Sequence, residues 1–414
     1  MNFLDFGFLT KKVPKKQEWA SSIPSLRFGI VTQYPILVQG KAQSTRQGSL
    51  GFVKRKMLVS SLDVHDAALL LHSKVLKTPL LESLPLNLLT GARILVKAEN
   101  LQTGGSFKVR GALHRILKLS ADQKSRGVVA FSSGNFGQGL AAACGQIHDP
   151  CIRCTIVMPG DTPLAKQTRA RSYGATVVLS NIVEGINREV TAAELAENLS
   201  QEHGFTLLHP FEDRDVIAGQ GTCGVEICDQ CAERNCTPDL LLIPTGGGGL
   251  AAGCSLAVHE KYGDAIKMYA VEPAGYDDHR MSFEQGRRVG LKGNPPSLCD
   301  SLQAVSPGQN TFPITSKLLQ GSLVVDDNEV REAMRVAFEM LQVVLEPGGA
   351  TGLAAVLSGK CGSVKGKTVV VVASGGNLDY EKFSKIMSGG SGKSTNATTP
   401  TCTRHGEKGG NSRL

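Results

Sequence analysis

Apolar residues between Ser61 and Leu71 recur at helical spacing, and Lys77-Thr78-Pro79-Leu80 ends the pattern, since proline restricts the residue before it. Beyond this break the period switches repeatedly. Short runs rich in Val, Ile and Leu predict strands at 93–97, 127–131, 152–157, 175–179, 205–208, 240–243, 268–271 and 368–372. Helical spacing predicts helices at 135–147, 164–173, 186–201 and 216–233, and another after Lys108, where Leu113, Ile116 and Leu117 recur. Strands alternating with helices predict an α/β fold on largely parallel sheets.

Composition narrows this picture. The 414 residues suffice for two lobes with a real core, and 41% apolar residues without a long unbroken run leave no case for a membrane protein. The formal net charge of +8 sits largely at the two ends, so it makes no case for nucleic-acid binding. Residues 1–56 carry ten lysines and arginines against only Asp5 and Glu18. That basic, hydroxyl-rich stretch fits an organelle transit peptide, a disordered solvated tail, or a misassigned start ahead of Met57. Residues 389–414, rich in Gly, Ser and Thr, predict a disordered tail. Eleven cysteines without a disulfide framework predict reduced thiols and an intracellular, cytoplasmic or organellar protein. Cys228 and Cys231 have zinc-like spacing but fall within one predicted helix, and Cys154 lies in a predicted strand, so free thiols are expected.

Five polar segments carry candidate chemistry. The first is Glu99-Asn100-Leu101-Gln102-Thr103-Gly104-Gly105-Ser106-Phe107-Lys108-Val109-Arg110-Gly111, a strand end, a glycine loop and a helix start, with Ser106 as the expected N-cap. Lys108 falls in the first helical turn, where the helix dipole disfavours a cation; local dipoles and burial favour its neutral, nucleophilic amine. Ser132-Ser133-Gly134-Asn135 opens a helix after a strand and suits an anion or a plain cap. Gly246-Gly247-Gly248-Gly249 leaves backbone N–H groups uncovered for a phosphate, yet matches neither a P-loop nor the dinucleotide fingerprint. Ser374-Gly375-Gly376-Asn377 follows another strand. Glu272-Pro273-Ala274-Gly275-Tyr276-Asp277-Asp278 is either a cation site or a solvated acidic turn, and Glu346 either serves a site or caps a helix.

Together these segments closely resemble the serine/threonine dehydratase and serine racemase family of fold-type II enzymes dependent on pyridoxal 5'-phosphate (PLP). The resemblance covers about residues 60–388. It implies two lobes, each a parallel-type sheet flanked by helices, with PLP in the cleft: a large lobe from 57–129 and 207–388, and a small lobe from 130–206. It makes Lys108 the Schiff-base lysine and catalytic base. Phe107, Asn135, Gly246, Gly247, Gly248, Gly249 and Ser374 become cofactor contacts, and Ser132, Ser133 and Asn135 the carboxylate site. Glu272, the Tyr276 carbonyl and Asp278 become ligands of Mg²⁺ or Ca²⁺. Gly104 and Phe136 depart from the usual Thr or Ser and His. The implied activity is β-elimination of an amino acid such as serine or threonine by a homodimer. The alternatives are a serine racemase, in which Ser133 serves the second face of the α-carbon, and a non-catalytic PLP-binding regulatory protein.

Overall fold

A computed structural model of the chain describes residues 59–147, 151–184, 188–293 and 295–388. The expectations for 1–56 and 389–414 lie outside the described residues. Among the described residues, ten strands form two sheets: β1 (Leu80–Glu82), β2 (Arg93–Ala98), β3 (Val128–Phe131), β4 (Cys154–Pro159), β5 (Thr176–Ser180), β6 (Thr206–Leu207), β7 (Leu240–Pro244), β8 (Lys267–Pro273), β9 (Ser322–Val325) and β10 (Thr368–Ala373). One sheet has the order β1-β2-β10-β7-β8-β9 and the other β5-β4-β3-β6. Every pairing between these strands is parallel except β1 with β2.

Parallel sheets need cover on both faces, and their strands read as continuous apolar runs for that reason. The larger sheet has the helices Asp327–Leu341 and Pro347–Leu357 on one face, around Leu242, Met334 and Leu353. Its other face carries Arg214–Glu233 and Gly249–Tyr262, around Ile227, Leu241 and Val258. The smaller sheet is covered by Lys108–Leu117 and Asn135–Gly145 on one side and Arg188–His203 on the other. No described helix is long and apolar enough to cross a membrane.

A buried ionic network ties these layers together beneath the lysine loop. Arg110, fully buried, donates from Nε to Glu99 Oε2 at 2.7 Å and from Nη1 to Glu226 Oε1 at 2.7 Å. Lys97, also fully buried, donates to Glu226 Oε2 at 2.6 Å, to the Thr78 carbonyl at 2.7 Å and to Gln230 Oε1 at 2.9 Å. Two cations meet two carboxylates, and the cations hold Glu99 below the usual carboxylate range against its burial. Removing one partner of such a set leaves a buried charge unpaired. Arg110→Met should therefore destabilise the protein by about 3–5 kcal/mol, seen as a lower urea midpoint; an unchanged midpoint would show the network to be dispensable.

Candidate active site

The carboxyl ends of β2, β3, β7, β8 and β10 converge on one cavity of about 680 Å³. Parallel strands present such an opening because their crossover connections begin there. The cavity brings Phe107, Lys108, Ser132, Ser133, Asn135, Gly246 to Gly249, Tyr276 and Ser374 onto one wall system. Glu272 and Asp278 are not on that wall; they form a separate buried cluster.

Lys108 is the first residue of its helix. Its side chain opens on the cavity, yet the surrounding protein desolvates the amine and lowers its pKa to about 8, against an opposing pull from Glu346. Nζ donates to the Pro210 carbonyl at 3.2 Å and stands 5.1 Å from the Phe107 ring centroid and 5.7 Å from that of Phe136. The expected N-cap at Ser106 does not form. Phe107 occupies the cap position without a side-chain bond, because the backbone of Ser106 is committed to a bridge with Gly375. The Ser106 hydroxyl is consequently buried without a partner. Asn377 seals the same loop: its Nδ2 donates to the Gly104 carbonyl at 2.7 Å, and a Cβ on Gly105, which has φ +72°, would strike its amide. Gly105 therefore makes room for Asn377.

The four glycines 246–249 link β7 to the helix Gly249–Tyr262, and Gly248 takes φ +90°. A Cβ on Gly247 would overlap the Phe211 ring. The Gly247 carbonyl is fixed from behind by the Thr311 hydroxyl at 2.7 Å and the Gly308 N–H at 3.2 Å. A bare backbone cradle at a helix N-terminus, a desolvated lysine and the hydroxyl of Ser374 thus share one cavity. This donor set fits PLP: the cradle suits its phosphate, Lys108 its aldehyde and Ser374 its ring nitrogen.

Opposite the cradle, Ser132 Oγ accepts from Gly134 N–H at 3.2 Å and turns the chain into the helix Asn135–Gly145. Ser133 Oγ donates to Glu189 Oε1 at 2.6 Å. Asn135 is held at both ends of its amide. Its Nδ2 donates to Glu346 Oε1 at 2.5 Å, and its Oδ1 accepts from Asn377 Nδ2 at 2.8 Å. Glu346, buried and beside Asp300, is pushed up to about 7, with the Asn135 contact opposing the rise. It places its carboxyl on the cavity floor, although it also precedes the helix Pro347–Leu357, where it makes no cap bond.

The acidic turn is buried, not solvated. Glu272 accepts from His279 N–H at 2.8 Å, Arg280 N–H at 2.9 Å and Ser322 Oγ at 2.6 Å. Asp278 is fully buried, and neither carboxylate oxygen has a hydrogen-bond partner. The nearest cation is His279, whose Nδ1 lies 3.5 Å from Glu272 Oε1 and 3.7 Å from Asp278 Oδ2, beyond hydrogen-bond range. Burial pushes Asp278 up to about 6, while the two carboxylates outweigh burial and push His279 up to about 9. Side-chain ligand atoms of Glu272, Asp278 and His279 lie within 4.8 Å of one another. Among the described residues the cysteines are free, and Cys228 and Cys231 lie buried on the single helix Arg214–Glu233.

Three residues were not foreseen from the sequence: Glu189, His209 and His279. Their roles come from the groups that face them in the fold, which no local residue pattern encodes. Only His279 had a local signal, its position directly after Asp278.

Comparison with known proteins bears on this geometry. The family model described as pyridoxal-phosphate dependent enzyme matches residues 72–375. The L-threo-3-hydroxyaspartate ammonia-lyase of a Pseudomonas species is 37% identical over 332 residues, covering 80% of this chain and 99% of that protein. The serine racemase of Dictyostelium discoideum is 35% identical over 331 residues, covering 80% of this chain and 98% of that one. The crystal structure of the T.th. threonine deaminase has a TM-score of 0.71 and 39% identity, over 78% of this chain and 99% of that one.

The lowered pKa of Lys108 is open to direct measurement. Competitive amine acylation of the cofactor-stripped protein, read by peptide mass, should show Lys108 half-reactive near pH 8 and fully nucleophilic above it. Half-reactivity near the ordinary lysine value of about 10.4 would contradict a desolvated amine.

Proposed function

The chain belongs to the pyridoxal-phosphate dependent enzyme family, and on that premise we propose that it is a PLP-dependent ammonia-lyase for hydroxy amino acids, releasing a 2-keto acid and ammonia from serine, threonine or 3-hydroxyaspartate. The observation that carries this reading is the desolvated Lys108 amine in one cavity with the bare cradle Gly246–Gly249 and the hydroxyl of Ser374. When bound, the cofactor supplies the electron sink that stabilises negative charge at the substrate's α-carbon. The protein supplies the rest. Lys108, largely neutral above pH 8, removes the α-proton. The cradle binds phosphate through backbone N–H groups. Ser374, a hydroxyl and not a carboxylate, would meet the ring nitrogen without fixing a proton there. Asn135, pinned by Glu346 and Asn377, would face the ring hydroxyl, and Ser132, Ser133 and Asn135 would receive the substrate carboxylate. Phe107 packs beside the lysine. The homodimer usual in the family and the exposed leucines Leu62, Leu69, Leu84 and Leu88 support self-association, and the free thiols support a reducing compartment. An absorbance spectrum of the purified protein with a keto-acid assay tests the reading; PLP absorbance with no keto acid from any of the three substrates would contradict it and favour a regulatory binding protein.

A specific contact favours a second activity. A serine hydroxyl is a poor acid or base at neutral pH, but Ser133 donates at 2.6 Å to the Glu189 carboxylate, which orients the hydroxyl and polarises its O–H bond. Racemisation needs such a group on the face opposite Lys108. Ser133→Ala should keep elimination of the L-substrate while losing D/L interconversion, as resolved by chiral chromatography. Undiminished interconversion in the Ala variant would remove Ser133 from the proton path.

We also propose that the buried turn binds a divalent cation through Glu272, Asp278 and the Tyr276 carbonyl. The two partnerless oxygens of Asp278 support this, since a buried carboxylate without donors or a cation is costly. Oxygen ligands suit Mg²⁺ or Ca²⁺. A ligand that binds only the folded state adds about 2.7 kcal/mol at a hundred times its dissociation constant. EDTA should therefore lower Tm and Mg²⁺ or Ca²⁺ restore it, whereas identical melts would contradict the site.

A further inference from the structure

His209 lies on the segment joining β6 to the helix Arg214–Glu233, and its ring forms part of the cavity wall. Two backbone donors converge on its Nδ1: Phe211 N–H at 3.4 Å and Glu212 N–H at 3.1 Å. A backbone N–H can only donate, so Nδ1 must accept, and the ring proton of the neutral imidazole must sit on Nε2. Protonating Nδ1 would break both contacts and set N–H against N–H. Edge-on packing against Phe131, at 5.5 Å between centroids, and Phe211, at 4.7 Å, fixes the ring plane.

The charged groups facing the ring are Lys108, from the lysine helix, and Glu212 and Asp213, from the ring's own segment. Burial is the largest influence and lowers its pKa. Lys108 lowers it further, while Glu212 and Asp213 oppose. Those two carboxylates are engaged elsewhere: Glu212 accepts from Asn310 N–H at 2.8 Å, and Asp213 accepts from Arg115 Nε at 2.8 Å while capping the helix that follows. His209 is thus a neutral imidazole with its Nε2–H without a partner among the described residues.

We propose that His209 is a built-in hydrogen-bond donor to the oxygen that leaves the substrate's β-carbon, and that it selects hydroxy amino acids over β-amino ones. The assignment rests on the ammonia-lyase reading. It follows from position: the next residue, Pro210, holds the Lys108 amine through its carbonyl, so the donor stands beside the group that works on the α-carbon. The cradle and the Ser132–Asn135 turn take the phosphate and the carboxylate, which leaves the β-substituent for this wall. As the Cβ–O bond breaks, its electron pair goes to oxygen, and Nε2–H steadies that charge without giving up its proton. The proton completing water is the one Lys108 took from the α-carbon, so no co-reactant is needed. A β-ammonium group, which offers no acceptor, gains nothing from this donor.

The test compares His209→Phe and His209→Gln with the parent holoenzyme on L-serine and on β-chloro-L-alanine, whose chloride leaves without such help. The Phe variant should lose about a hundredfold in kcat/KM for L-serine, the scale of one lost donor to a developing oxyanion, and Gln should recover part of it. Turnover of β-chloro-L-alanine should hardly change. Independently of turnover, ¹⁵N-histidine spectra of the holoenzyme should show His209 protonated at Nε2 and bare at Nδ1 from pH 6 to 9. Equal losses on both substrates, or an Nδ1-protonated or doubly protonated ring, would overturn the assignment even in an active lyase. A parent that eliminates neither substrate would instead defeat the ammonia-lyase reading, and the leaving-group role with it, while the spectra still judge the tautomer. Should the Phe variant fail to fold, the Gln variant and the spectra decide.

Discussion

Two buried cations matched to one buried and one half-buried carboxylate set the geometry on which the site depends. Desolvating four charges is expensive, and the arrangement holds only when every lone pair and N–H finds its partner. Lys97 comes from β2, Glu99 from the loop after it, Arg110 from the lysine helix, and Glu226 from the long helix Arg214–Glu233. Thr78 adds a carbonyl to Lys97 and a hydroxyl to Glu99. A shift in any of these elements would break several charge-assisted bonds at once. The network therefore fixes where the helix of Lys108 begins relative to the helix that His209–Asp213 leads into.

From that frame the electrostatics of the cavity follow. Lys108 is desolvated, and only the nearby Glu346 opposes this, so its pKa falls to about 8. Glu346 moves the opposite way, to about 7, because it is buried near Asp300. Two groups of opposite type are thus brought close to neutral pH by the same burial. Lys166 and Lys382 reach Asp300 at 2.8 and 3.4 Å, and Arg169 reaches the Leu378 carbonyl at 3.0 Å, so the helix Leu164–Ser172 is tethered across the site to the large sheet's segments.

The strands were legible because parallel sheets buried on both faces leave apolar runs that no amphipathic helix would show. The strand at 127–131 appears as Val128–Phe131 and that at 368–372 as Thr368–Ala373. β1 and β9 were missed: Leu80–Glu82 and Ser322–Val325 are short edge strands with little signal. Glycine loops and Lys108 stood out because backbone chemistry is written locally. The Ser106 cap failed because its backbone is claimed by Gly375, from the far end of the fold's sequence, a contact no local pattern encodes. His209 and Glu189 were invisible for the same reason, since their meaning lies in what faces them.

The central claim is that one desolvated lysine at this helix start does the covalent and proton-transfer work. Borohydride reduction of the protein as purified with its cofactor, followed by peptide mapping, addresses it directly. The account predicts a pyridoxyl group on Lys108 and on no other lysine. A pyridoxyl group found elsewhere would contradict the assignment of the whole site.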